Sequence, residues 1–449
     1  METNNEYNTK VTDEDIANGV KDEYGCIYSP DGKRLLKGNK DLTSYTIKEG
    51  TEVICDGAFS TCTSLQSIVI PNSVTEIGWK TFEKCSSLKS VVIPESITEI
   101  DDDAFSGCSS LQSIDIPESV TSIGKWAFCR CESLQSIVIP ESVTSIGESA
   151  FWGCESLQSI DIPKSVTKIG NAAFHCCSSL QSIVIPDSVT SIGVTPFDVG
   201  IKITLHSNKF VVKNDLLIDL EEGRLIQYLE DREHIVIPDS VNEIGESAFR
   251  GCSSLQSIEI PDSVTKIGRW ALGNCESLQS VVLPKSVTSI GGGAFWGCES
   301  LQSIVIPESV TSIGERAFAW CSFLQSIVIP NSITTMEETA FWNCESLQSI
   351  VIPDSVTSIG ERAFWNCNSL QSIVIPNSVT SIGWSAFERC ISLQSIVIPS
   401  SVLKIGDMAF EYCDSLQRIV IPEGKRKYFE SILDEEYHHL LKEEDFSEL

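Results

Sequence analysis

The chain has 449 residues, a formal net charge of −30 and a sequence pI near 4.5. So negative a surface repels nucleic acid and anionic membranes, and 42% apolar with 21% charged residues is the composition of a folded chain rather than a disordered one. No run approaches the ~18 apolar residues of a membrane span, and the start METNNEYNTK lacks the basic and apolar regions of a secretory signal. A cytoplasmic location is therefore expected, with export to the cell surface or medium by a non-classical route as the alternative.

Residues 1–44 read as an N-terminal tail and a β-hairpin cap, with Pro30-Asp31-Gly32 as the turn. From residue 45 to 207 a first block of repeats follows, in which prolines recur at 71, 94, 117, 140, 163 and 186, a step of 23 residues each time. One unit reads C-x-x-L-x-x-I-x-I-P-x-S-V-T-x-I-G-x-x-A-F-x-x. In the copy that starts at Cys131, Leu134 to Ile139 carries apolar residues on a period of two and then stops at Pro140, which predicts one short strand per coil. Ser142 to Gly147 is expected to turn the corner, with Gly147 in a slot suited to positive φ. Ala150-Phe151 is expected to begin a short helical or irregular return.

The beat breaks after Pro186. Residues 208–237 hold two β-rich runs around Glu221-Glu222-Gly223, a second hairpin reading. The step of 23 then resumes at Pro238 and fills a second block, 238–423. In the remainder, 424–449, Phe429, Ile432, Leu433, Leu440 and Leu441 fall on one helical face, which predicts a capping helix.

Energetics explain the copying. A coil buries about eight apolar side chains, worth on the order of 15–20 kcal/mol, while ordering its backbone costs roughly 1–2 kcal/mol per residue. A lone coil loses that contest, so coils must stack in series.

These units resemble the BspA-like, or Treponema pallidum-type, leucine-rich repeat, whose hallmark is L-x-x-I-x-I-P followed by I-G-x-x-A-F-x-x-C. The resemblance covers roughly Tyr45 to Glu423, fifteen units counted by the phenylalanine slot from Phe59 to Phe410. It implies an α/β leucine-rich repeat solenoid with one short parallel strand per 23-residue coil, to which the residues themselves add β-hairpin joints and a C-terminal capping helix. It also implies a function in protein interaction, or in adhesion to host or matrix proteins.

Reactive chemistry is sparse. The five histidines are scattered, and His438-His439 diverge on a helix. Gly291-Gly292-Gly293 lacks the lysine of a phosphate loop, and no G-x-S-x-G elbow occurs. The expectation is therefore no catalytic residue, no cofactor and no metal ligand. Fourteen of the eighteen cysteines share one slot, and coils about 4.8 Å apart suit a ladder of buried free thiols better than strained disulfides.

What varies marks where a partner can be told apart. The residues between the apolar strand positions, such as Gln135, Ser136 and Val138, are expected on the concave face. Their columns are nearly constant, the valine column being broken only by Asp115, Asp161 and Glu259. Variation instead gathers around the A-F-x-x-C return, which holds all nine tryptophans. The candidate partner-binding residues are therefore Trp296, Trp320, Trp342, Trp365 and Trp384, since tryptophan is enriched in binding hot spots. The chain reads as a non-enzymatic protein–protein interaction scaffold, the alternative being a surface adhesin for host or matrix protein or carbohydrate.

Overall fold

Residues 9–445 are described by a computed structural model and divide into two compact units, one ending at Val212 and the next starting at Lys213. In both, the Ser-Ile-Val runs and their Ser-Val-Val variants form a column of parallel strands, among them Ser67–Val69 and Ser90–Val92 in the first unit, and Ser326–Val328 and Ser349–Val351 in the second. Equivalent residues pair, Ile327 with Ile350 and Val328 with Val351. The pleat turns each isoleucine into the core and leaves serine and valine outside.

The segment expected only to turn the corner forms a second parallel column. Ser122–Ile123, Ser145–Ile146, Lys168–Ile169 and Ser191–Ile192 pair in order. The threonine before each strand extends the rung, as Thr144 Oγ1 donates to the Thr121 carbonyl at 3.2 Å. The return that follows is a run of turns with no helix. It is held by a third rail, in which Phe128 donates to the Ala150 carbonyl at 2.8 Å and Phe151 to that of Ala173 at 2.9 Å. A helix is ruled out there because the return visits the left-handed region twice, at Trp126 (φ 59°) and Arg130 (φ 56°) in one coil. Such residues cost of order 1–3 kcal/mol each and persist only where the neighbours over-determine them.

The glycine slot does a different job from the one expected. Gly147 is outside the left-handed region, and a Cβ on it would lie 2.5 Å from the carbonyl carbon of Gly124 in the coil before. Close approach of backbones demands glycine here.

Inside the stack, phenylalanines form two ladders. Phe59 to Phe197 stack at 5.3–6.0 Å between centroids in the first unit, and Phe295 to Phe410 at 5.3–5.8 Å in the second. Leu272 takes the slot just before the second ladder. Beside them run the cysteines, all eighteen free and all but Cys176 buried. Cys108 donates its thiol to the Phe82 carbonyl at 3.2 Å, and Cys367 to that of Phe341 at 3.3 Å. Burial pushes the Cys85 and Cys298 thiols up to about 12.

Both hairpins lead into the second strand column. Ile27–Tyr28 pairs antiparallel with Arg34–Lys37, which pairs parallel with Val53–Ile54. Leu216–Asp219 pairs antiparallel with Arg224–Tyr228, which pairs parallel with Glu243–Ile244. Ahead of the first hairpin, Asp13–Asn18 forms a short helix that the sequence reading did not anticipate, opened by a capping box between Thr12 and Asp15.

The single capping helix expected over 424–449 is not formed. Arg426–Phe429 is one helical turn, Glu435–Leu440 a 3-10 segment, and Leu441–Glu444 a strand pairing in parallel with Arg418–Pro422; residues 446–449 of the expected helix lie outside the described residues. The open edge of the last coil presents unpaired backbone groups, and satisfying them outweighs helix propensity. Tyr437 packs edge-on against Phe410 at 5.8 Å, closing the ladder. With so little helix the α/β expectation gives way to a solenoid of strands and turns.

Candidate interaction surface

The five candidate tryptophans do not form one stripe, because they occupy different slots of the return. Trp320, Trp342 and Trp365 run together, with edge-on contacts at 5.7 and 5.9 Å. Trp296 packs instead on Trp270 at 5.3 Å. Trp384 lies under the Arg362 guanidinium at 4.1 Å, and Arg389 covers Trp365 at 5.5 Å. Trp320 is 36% exposed and the other four are half-buried. Much of this aromatic area is thus spent between coils and under arginines. The indole N–H of Trp342 is buried with no hydrogen-bond partner among the described residues.

The strand face is more open. Val282, Val305, Val328, Val351 and Val374 are 57 to 73% exposed, and register stacks them one above another, as with Val282 over Val305. Single exposed valines are ordinary, but a contiguous column is a patch. The strand ladder of this unit is divided between Ser349–Val351, the end of a six-stranded sheet, and Ser372–Val374, the start of a four-stranded one. A groove of about 400 Å³ sits over that division, lined by Val351, Val374, Val397, Pro376, Asp354 and Asn377. The sequence showed the valine column but not this division, because the copies on either side of it are nearly identical.

His438 and His439 do not converge on a ligand: the first lies 3.1 Å from the Leu433 carbonyl and the second 2.8 Å from that of Glu436. No helix among the described residues is long and apolar enough to cross a membrane.

Among known proteins, a leucine-rich repeat protein from Bacteroides ovatus is 29% identical over 95% of this chain and 97% of its own, with a TM-score of 0.45. A leucine-rich cell surface protein from Faecalibacterium prausnitzii is 29% identical over 92% and 97%, with a TM-score of 0.46. The leucine-rich repeat protein of T. pallidum is 23% identical over 51% and 94%, with a TM-score of 0.26. No curated protein sequence matches. The model of the BspA type leucine-rich repeat region matches residues 32–128, 98–208, 227–348 and 335–437, which is most of the chain. The chain belongs to the BspA type leucine-rich repeat family.

Proposed function

We propose that this chain is a non-enzymatic protein-interaction scaffold that holds an extended, apolar segment of a protein partner along the valine column, seated at the groove over Val351, Val374 and Val397. The observation that carries the reading is the exposure of five stacked valines in one unit. A column of identical contacts tolerates sliding, and the groove supplies the irregular point that fixes register. Covering a valine is worth about 1.5 kcal/mol, so Val351→Ser with Val374→Ser should weaken binding by roughly a hundredfold without unfolding the coils. A photo-crosslinker placed at position 351 should join the native partner.

The tryptophan flank from Trp296 to Trp384 is the second reading, favoured by the exposure of Trp320 and the unpartnered indole of Trp342. Trp342→Ala with Trp365→Ala separates the two. If the tryptophan changes abolish binding while the valine changes leave it intact, the flank is the site and the valine reading fails.

The setting we propose is the cytoplasm, because so many buried free thiols suit a reducing compartment. An adhesin at the cell surface, binding host or matrix protein or carbohydrate, is the competing assignment. Fractionation of native cells decides between them.

A further inference from the structure

We propose that His175, Cys176 and Asp198 form a three-donor site for a divalent transition metal of the zinc class, near the end of the first unit. Imidazole nitrogen, thiolate sulfur and carboxylate oxygen are the three donor types that zinc takes. One ligand atom from each residue lies within 4.8 Å of the other two. A tetrahedral ion with bonds of 2.0–2.3 Å needs donors about 3.5 Å apart. His175 Nδ1 and Asp198 Oδ1 are already at 3.3 Å.

The repeat explains why these residues meet. His175 and Asp198 hold the same slot in successive coils, 23 residues apart, directly after Phe174 and Phe197. Cys176 holds the next slot, which elsewhere carries Lys84, Gly107, Arg130, Gly153 and Asn274. Three donor residues in the two variable slots of the formula therefore fall on one spot, and Cys176 is the one cysteine that is not fully buried. In the neighbouring coils the backbone N–H of this slot donates to a main-chain carbonyl, Arg130 to Trp152 at 2.6 Å and Gly153 to His175 at 2.9 Å. Here the Cys176 N–H donates at 2.5 Å to Asp198 Oδ1 instead. That substituted rung fixes the carboxylate beside the thiol, and Asp198 Oδ1, which faces His175 Nδ1 at 3.3 Å, keeps a second lone pair for a ligand. His175 Nδ1 also lies 3.4 Å from the Phe197 carbonyl, a contact the ring gives up on binding metal.

The test uses the full-length, reduced and chelator-treated protein with cobalt(II) chloride as probe. One equivalent of cobalt should bind with a thiolate-to-metal charge-transfer band, and zinc chloride should bleach it. Cys176→Ser should abolish the band, and His175→Ala and Asp198→Asn should each weaken binding at least about tenfold, since even second-shell changes cost that much. Absence of the band, or its survival in Cys176→Ser, overturns the site. A second readout needs no variant: zinc should slow alkylation of Cys176 by iodoacetamide at least tenfold in the native protein, and an unchanged rate also overturns it.

Discussion

In the first unit the last strand on the Ser-Ile-Val side is Lys202–Leu205, whose side chains alternate exposed and half-buried. In the second unit the corresponding strand is Arg418–Pro422, with Ile419, Val420 and Ile421 buried and Leu441–Glu444 laid along its outer edge. The opening coils differ too. Glu76 and Glu99 are neighbours in the second column of the first unit, and burial followed by nearby carboxylates raises both. Two successive coils near the start of the second unit hold Glu243 and Lys266 in this same slot of the repeat, joined by an ion pair at 2.9 Å. Copies of one formula thus meet different end and slot neighbours, and nearest-neighbour stacking should turn those differences into differences in stability.

The largest expected effect comes from uncovering the better-closed end. Leu441 is buried against the last strand, so Leu441→Asp should cost about 3 kcal/mol by burying a charge without a partner, read as a lower urea midpoint. A change under about 0.5 kcal/mol would deny that Leu441–Glu444 closes the stack. Next, limited proteolysis should cut first between about Asp198 and Glu233, at least tenfold faster than anywhere from Ser326 to Val397, because cleavage follows local opening. Equal rates would erase the contrast between the ends.

A gain is expected where the second ladder is interrupted. Leu272 is fully buried in a slot that holds phenylalanine in every other coil from Phe59 to Phe410. Leu272→Phe should therefore add about 1 kcal/mol by joining Phe249 to Phe295; a loss would mean the backbone around Leu272 has adapted to the smaller side chain.

The smallest effect concerns pH. For Glu76, Glu99 and Asp101 burial is the leading cause of a raised carboxyl, and neighbouring carboxylates add to it. The folded state then holds protons that the unfolded state releases, so stability falls as pH rises through the window between their ordinary values and the raised ones. Lowering pH from 7 to about 5 should raise the melting temperature of the first unit. Glu99→Lys, which copies the second unit's pairing, should flatten that dependence and add less than about 1 kcal/mol at pH 7. A melting temperature that falls on mild acidification would contradict the sign.

The sequence made the 23-residue period, the buried thiols and both hairpins legible because each rests on local pattern. The second strand column escaped notice since a two-residue strand such as Ser145–Ile146 has only one inward side chain and no alternation to read. The left-handed positions were hidden because residues as different as Trp126, Arg130 and Ser149 occupy them, so no glycine column marks them. At the C-terminus, the apolar spacing from Phe429 to Leu441 fits a helix locally, and only the open edge of Arg418–Pro422 overrides it. The division beneath the valine groove depends on how coils sit on one another, which no single copy encodes.

The hydrogen bonds that join coils have a kinetic consequence. Thr144 reaches Thr121, Ser142 reaches Val120 and Cys154 reaches Phe128, spans of 23, 22 and 26 residues. Measured against 449 residues, a typical separation near 23 gives a relative contact order of roughly 0.05, below that of helical bundles. Although built almost wholly of strands and turns, the described residues pair with neighbouring coils rather than with distant ones. Each hairpin can act as a starter strip, and every added coil closes a loop of the same small size. Folding should therefore advance as a zipper, at a rate set by how readily the first few coils form and nearly indifferent to how many follow.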